Sequence, residues 1–193
     1  MPLNLPILLT WLRVILIPVF IGVFYLPDSW LSPVAQNITG ALIFAVAGIT
    51  DWLDGFLARR LGQTSAFGAF LDPVADKLIV ACALILLVDQ GRTYAWLSMI
   101  IIGREIAISA LREWMAEMGR RSSVAVATLG KLKTTAQMGA IMLLLWKQPI
   151  IPGVSTLFLG NVLMVIAAIL TLWSMVYYLR MAAREFSGKK IAN

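Results

Sequence analysis

The chain has 193 residues, of which 60% are hydrophobic and 13% charged, and its mean hydropathy is +0.86. This composition is too apolar for an ordinary soluble domain and indicates a membrane protein. About 20 apolar residues span a bilayer core, so the length suits six such helices and leaves almost no room for a second domain. We therefore expect one all-α membrane domain over residues 1–193.

Two residue counts exclude several kinds of chemistry. The chain has no histidine and one cysteine, Cys82, so it cannot carry a serine–histidine or cysteine–histidine nucleophile, an imidazole metal site or an internal disulfide. The net charge is +6, and the basic residues flank the apolar stretches and are not gathered on a soluble face. This pattern suits anionic membrane lipids as partners and argues against nucleic acid.

Turn residues divide the chain into six predicted transmembrane spans: 8–26, 37–59, 68–89, 94–115, 128–147 and 155–179. Ahead of the first span, Asn4 is a suitable cap for a short interfacial helix with Pro6 in its first turn, where proline is tolerated. Of the 16 basic residues, Arg92 and Lys147 are those in loops after odd-numbered spans. The positive-inside rule therefore predicts that both termini are cytoplasmic.

The second and third spans carry four aspartates: Asp51, Asp54, Asp72 and Asp76. Residues three or four apart share a helix face, so each span presents one pair as a stripe. The short connection predicts antiparallel neighbours, with the four carboxylates facing each other at matched depth. Because one carboxylate at the centre of a membrane helix costs about 2.5–3.5 kcal/mol, a compensating cation is expected.

Oxygen ligands without histidine or cysteine favour a hard divalent cation, Mg²⁺, Mn²⁺ or Ca²⁺. Four carboxylates suit one ion, or two ions in the arrangement used for in-line phosphoryl displacement. Gly55, Ala58 and Gly68 have little bulk and would let a ligand approach the helix backbones, although such residues also serve as helix-packing contacts. Arg59 offers a planar cation for a phosphate oxygen.

The pattern D-x2-D-G-x2-A-R-x8-G-x3-D-x3-D, from Asp51 to Asp76, resembles the signature of the CDP-alcohol phosphatidyltransferases. Members of that family are six-helix membrane enzymes, usually homodimers, that bind a CDP-linked lipid and two divalent ions on the cytoplasmic side. The resemblance implies that the four aspartates bind Mg²⁺ or Mn²⁺ and that Asp76 is also the general base. Residues 4–13 resemble family members as well. The implied CDP-diacylglycerol contacts are Gly55, Ala58, Arg59, Ser65, Gly68, Pro6 and Thr10.

Residues 67–77, 104–106, 110–114 and 130–137 resemble the bacterial members that use glycerol 3-phosphate as acceptor. This resemblance implies transfer of the phosphatidyl group from CDP-diacylglycerol to glycerol 3-phosphate at the bacterial inner membrane, with release of CMP. Basic residues around the loop between spans four and five are candidates for binding the acceptor phosphate, although positive-inside topology also explains basic loop residues. They are Arg104, Arg112, Arg120, Arg121, Lys131 and Lys133.

Two alternatives stay open. Within the family, the acceptor could be serine, inositol phosphate or phosphatidylglycerol, and a serine-using enzyme should need fewer phosphate-binding cations. A divalent-cation transporter would also place aspartates in the membrane. However, the broken helices and internal repeats typical of transporters are not evident in this sequence.

Overall fold

The protein is described here by a computed structural model that covers residues 5–61, 66–117, 127–150 and 152–187. These ranges form six α-helices and contain no strand, so the all-α prediction is confirmed. The helices are α1 (Leu5–Phe24), α2 (Pro33–Leu61), α3 (Ala66–Asp89), α4 (Ala95–Glu117), α5 (Ala127–Trp146) and α6 (Thr156–Ser187). The shortest have 20 residues and are therefore about 30 Å long.

Within the described ranges, three helices are long and apolar enough to cross a membrane. These stretches are Ile7–Phe24, Pro33–Asp54 and Thr156–Ala183. The other three helices carry more polar side chains, such as Asp72, Asp76 and Lys77 in α3. The number of helices thus agrees with the prediction, whereas the number of spans and the side on which the termini lie remain predictions.

The N-terminal part differs from the expectation of a separate interfacial helix. Helix α1 runs without a break from Leu5, with Pro6 in its first turn, so that prediction is wrong for residues 5–7. The first turn of a helix has no internal partner for its N–H groups, and a proline there does not interrupt the helix. The predicted cap, Asn4, lies outside the described residues.

The helix ends follow local sequence signals. Ser32 precedes Pro33 at the start of α2, and its hydroxyl accepts a hydrogen bond from the Ala35 N–H at 3.3 Å. At the end of α3, Gly91 adopts a φ of 63°. The Arg92 N–H then returns to the Leu87 carbonyl at 2.8 Å, which is the Schellman arrangement that ends many helices.

Helix α1 packs against both α2 and α3, and each of these helices contacts α1 more extensively than they contact each other. Gly40 of α2 permits one such approach, because a Cβ there would lie 2.3 Å from the Phe24 ring. Helix α5 packs mainly against α6 and also against α2, and α4 contacts α3 and α6. The centre of the bundle is apolar, with Phe20, Phe44 and Ile141 almost completely buried.

Arg92 closes one end of the bundle. Its Nη1 donates to the carbonyls of Leu144 (3.2 Å) and Leu145 (3.1 Å) in the last turn of α5, and its Nη2 donates to the Asn37 side chain. Burial lowers the pKa of the Arg92 guanidinium, but the carbonyls at a helix C-terminus favour a cation. Since Arg92 follows α3 and Asp72 lies near its start, this cluster and the aspartates are at opposite ends of the bundle.

Candidate active site

The four aspartates lie where α2 ends and α3 begins. Asp51 and Asp54 are within about three turns of the end of α2, and Asp72 and Asp76 are within about three turns of the start of α3. The four differ in burial: the Asp54 side chain is 2% exposed, whereas those of Asp51 and Asp76 are 46% and 38% exposed. The site therefore has an inner carboxylate and an accessible outer pair.

Arg13 of α1 lies among these carboxylates, with its side chain fully buried. Its Nη1 is 3.2 Å from Asp51 Oδ1 and also donates to Asp76 Oδ1. Its Nη2 donates to Asp54 Oδ2. One guanidinium thus contacts both carboxylates of α2 and one of α3.

Thr10 provides the contact to the fourth aspartate. It lies three residues before Arg13, so both side chains are on the same face of α1. Its buried hydroxyl donates to Asp72 Oδ1. Helix α1 therefore contacts all four aspartates, and the acidic site is built from three helices.

No role of Arg13 was predicted from the sequence. The available signal was a charged residue inside an apolar span, because a buried arginine in a membrane helix requires an acidic partner. The four aspartates were the obvious candidates. What the sequence did not reveal was that α1 packs against α2 and α3 at this depth.

The chemistry of these side chains suits a divalent cation. All four ligand candidates are carboxylates, which hard ions such as Mg²⁺ and Mn²⁺ prefer. The Arg13 guanidinium already stands among three of them, so the cluster accommodates positive charge. The described part of the chain contains no group of three or more acidic or cysteine side chains arranged as metal ligands. The residues nevertheless fit the charge and ligand type of a divalent cation.

A cavity of about 260 Å³ lies beside Asp76, between α3, α4 and α5. Its wall is largely apolar and carries a few polar groups, among them Asp76, Lys77, Glu105, Lys133 and Gln137. The Lys133 ammonium donates to Glu105 Oε1. The cavity thus places a cationic group and the accessible carboxylate of Asp76 along one space.

Two other candidates for the acceptor phosphate are held by α6. Arg104 is buried, and its Nη2 donates to Ser174 Oγ at 2.6 Å while its Nη1 is 3.2 Å from Glu105 Oε1. Arg112 donates to the Tyr178 hydroxyl, and its guanidinium lies 4.8 Å from the centre of that ring. Among the acceptor candidates whose side chains are described, Lys133 is the one that lines the same cavity as Asp76.

The remaining candidates are described only in part. Gly68 is buried in α3. Other candidates lie in helices, but their side chains are not described: Pro6 in α1, Gly55, Ala58 and Arg59 in α2, and Lys131 in α5. Ser65, Arg120 and Arg121 lie outside the described residues.

The fold and the site together define a helical membrane protein in which a cluster of aspartates surrounds a buried arginine. The family model of the CDP-alcohol phosphatidyltransferases matches residues 3–173. Curated relatives from Escherichia coli (strain K12) and Shigella flexneri serotype 5b are each 55% identical over 188 residues, which is 96% of this chain and 98% of each relative. Both relatives are named CDP-diacylglycerol–glycerol-3-phosphate 3-phosphatidyltransferase.

The chain belongs to the CDP-alcohol phosphatidyltransferase family. The family that the Asp51–Asp76 signature resembles is therefore confirmed, and so is the prediction that the protein is a phosphatidyltransferase. The match extends well beyond the aspartate signature and includes all of α1 to α5.

Proposed function

We propose that this enzyme transfers the phosphatidyl group of CDP-diacylglycerol to the C1 hydroxyl of sn-glycerol 3-phosphate, giving phosphatidylglycerophosphate and CMP. The names of relatives that are 55% identical over almost the whole chain support these substrates. The observation that carries the proposal is the convergence of Asp51, Asp54 and Asp76 on one cation, beside a cavity that also holds Lys133.

Asp51, Asp54, Asp72 and Asp76 would together hold Mg²⁺ or Mn²⁺, with two ions expected. Bound there, the ions would offset the negative charge of the diphosphate and the charge that develops on the departing CMP. The different exposures of the side chains support a division of labour: Asp54 is buried and anchors the cluster, while Asp51 and Asp76 face the ligand.

The cytidine diphosphate would lie against the end of α2 and the start of α3, with contacts from Gly55, Ala58, Arg59, Ser65, Gly68, Pro6 and Thr10. The hydrogen bond from Thr10 to Asp72 gives Thr10 a second role, since it fixes one carboxylate next to this region. The diacylglycerol would remain in the bilayer, alongside the exposed apolar side chains of the helices.

Asp76 would act as the general base. It accepts the proton of the C1 hydroxyl as that oxygen forms a bond to the phosphorus that carries the diacylglycerol. The bond between this phosphorus and the CMP oxygen breaks, and CMP leaves with the electron pair. The partial exposure of Asp76 and its position on the cavity wall support this assignment.

The phosphate of the acceptor would bind to basic side chains near the cavity. Lys133 is the best supported of these, because it lines the same cavity as Asp76. The remaining candidates would complete this region: Arg104, Arg112, Arg120, Arg121 and Lys131. Glu105 accepts a hydrogen bond from Lys133 and holds its ammonium group at the cavity.

The proposal includes the setting of the enzyme. It would work as a homodimer in the bacterial inner membrane, with both termini and the active site on the cytoplasmic side. The apolar helices and the bacterial relatives support a bacterial membrane protein. The distribution of basic residues supports the orientation.

The test is acceptor competition with purified protein, CDP-diacylglycerol and radiolabelled glycerol 3-phosphate, serine or inositol phosphate. We expect a labelled lipid from glycerol 3-phosphate and one CMP for each lipid formed. Chelation with EDTA should stop the reaction, and Mg²⁺ or Mn²⁺ should restore it. A lipid product from serine and none from glycerol 3-phosphate would overturn the acceptor assignment.

A further inference from the structure

The contacts of Arg13 engage oxygens that a divalent cation would also need. Its Nη1 is shared between Asp51 Oδ1 and Asp76 Oδ1, and its Nη2 contacts Asp54 Oδ2. These contacts use one oxygen of each of three carboxylates. An oxygen that accepts a guanidinium N–H in its lone-pair direction is less available to a metal ion.

The charges give a second reason for competition. Among the described side chains, three carboxylates share one guanidinium, so acidic groups outnumber the basic group at this point and the cluster still attracts cations. A divalent ion that enters must also approach the guanidinium, and the two positive groups repel each other strongly where water is scarce. The Arg13 side chain is fully buried, so bulk water screens its charge only weakly.

The two accessible carboxylates indicate from which side a divalent ion reaches the site and competes with Arg13. The Asp51 and Asp76 side chains are 46% and 38% exposed, whereas Arg13 is not exposed at all. An ion therefore reaches these carboxylates from the open side, while the guanidinium holds them from the protein side. Among the described side chains, Arg13 is the cation that contacts more than one of these aspartates.

We propose that Arg13 is a built-in counter-cation, which offsets part of the negative charge of the aspartates in the metal-free protein and lowers their affinity for divalent ions. Metal binding then shifts the guanidinium away from Asp51 and Asp76. This inference rests on the proposed use of divalent metal at the aspartates. It assigns to α1 a role in setting the metal concentration at which the enzyme works.

The experiment measures binding of Mn²⁺ to the purified, EDTA-stripped protein without substrates, by electron paramagnetic resonance or calorimetry. Arg13→Gln should bind Mn²⁺ at least about tenfold more tightly than the wild type, because a repelling charge is removed and three oxygens are freed. Arg13→Lys keeps the charge and should remain close to the wild-type affinity. Unchanged or weaker binding by Arg13→Gln would overturn the proposal.

Thermal unfolding gives a second readout. Without Arg13 the metal-free carboxylates repel each other, so in EDTA Arg13→Gln should have a melting temperature well below that of the wild type. Saturating Mn²⁺ should raise the melting temperature of Arg13→Gln more than that of the wild type. A variant that folds only in Mn²⁺ supports the proposal. A variant that Mn²⁺ stabilises no more than it stabilises the wild type contradicts it.

Arg92→Gln is the matched control, since Arg92 is also a buried arginine but contacts backbone carbonyls and Asn37. It should lower the melting temperature and leave the Mn²⁺ affinity unchanged. The two proposals fail in different ways. If neither the wild type nor Arg13→Gln binds Mn²⁺, the metal site itself is wrong. If the wild type binds and Arg13→Gln binds no more tightly, only the role of Arg13 is wrong.

Discussion

Arg13 and Asp54 form a buried ion pair that joins α1 to α2. Their side chains are 0% and 2% exposed, so neither charge is solvated by bulk water. Asp51 contacts the same guanidinium from a position that is 46% exposed. The two aspartates of one helix thus share a partner but differ sharply in their access to water.

This difference predicts unequal effects on stability. In metal-free protein, Asp54→Asn should lower the free energy of unfolding by about 3–5 kcal/mol, because it leaves the buried guanidinium without its best-shielded partner. Asp51→Asn should cost at most about 1 kcal/mol, as is usual for exposed pairs. Unfolding in EDTA, by heat or denaturant, measures both. Equal losses for the two variants would contradict the assignment of Asp54 as the inner anchor.

Thr10→Val removes the hydrogen bond to Asp72 and changes the side-chain volume little. Groups that orient metal ligands typically contribute 10- to 100-fold in metal affinity or activity, so we expect a loss of roughly that size. The loss should appear as a higher Mg²⁺ concentration for half-maximal rate. Thr50→Val is the control, because the Thr50 hydroxyl bonds to the carbonyls of Val46 and Ala47 in its own helix. A similar effect in both variants would show that Thr10 acts through helix packing.

Asp76→Asn should reduce kcat by roughly 100-fold or more, since a general base contributes about 10²- to 10⁴-fold and this carboxylate is also a proposed metal ligand. Binding of CDP-diacylglycerol should be largely kept, which equilibrium binding of the labelled lipid can measure. Asp89→Asn is the control, because Asp89 is exposed at the other end of the same helix. Full activity of Asp76→Asn would show that Asp76 is not the general base.

Lys133→Gln should raise KM for glycerol 3-phosphate by about 10- to 100-fold, the value of one hydrogen bond between charged groups. The affinity for CDP-diacylglycerol should change little, because the lysine lies on the side of the cavity formed by α4 and α5. Steady-state kinetics with each substrate varied in turn separates the two effects. Lys147→Gln, one residue beyond the opposite end of α5, should leave both values unchanged. An unaltered KM for glycerol 3-phosphate would show that Lys133 does not bind the acceptor and has only a structural role, through its contact with Glu105.

Several features of the fold were predictable because they depend on neighbours in the sequence. Ser32 with Pro33 marks the start of α2, and Gly91 marks the end of α3, where a left-handed φ is required. The pairing of Asp51 with Asp54, and of Asp72 with Asp76, follows from helical periodicity alone. The separate N-terminal helix was wrong for residues 5–7 because no turn residue interrupts the chain between Pro6 and the first span, so Leu5–Phe24 forms one continuous helix.

The partners of the charged residues were not predictable in the same way. Arg13 is 41 positions from Asp54 and 63 from Asp76. Lys133 is 28 positions from Glu105, and Arg104 is 70 from Ser174. No periodicity connects residues so far apart, and each pairing depends on which helices pack together and at what depth.

The amino-acid sequence by itself determined an all-helical chain with an acidic signature on two consecutive helices, because spacing along a helix sets which side chains share a face. It also determined the family, since the signature specifies residue types at fixed intervals. Only the tertiary structure decided that α1 contacts both helices, that Arg13 stands among three aspartates, and that Thr10 holds the fourth. These contacts arise from the packing of α1 against α2 and α3, which brings together groups that local geometry leaves independent.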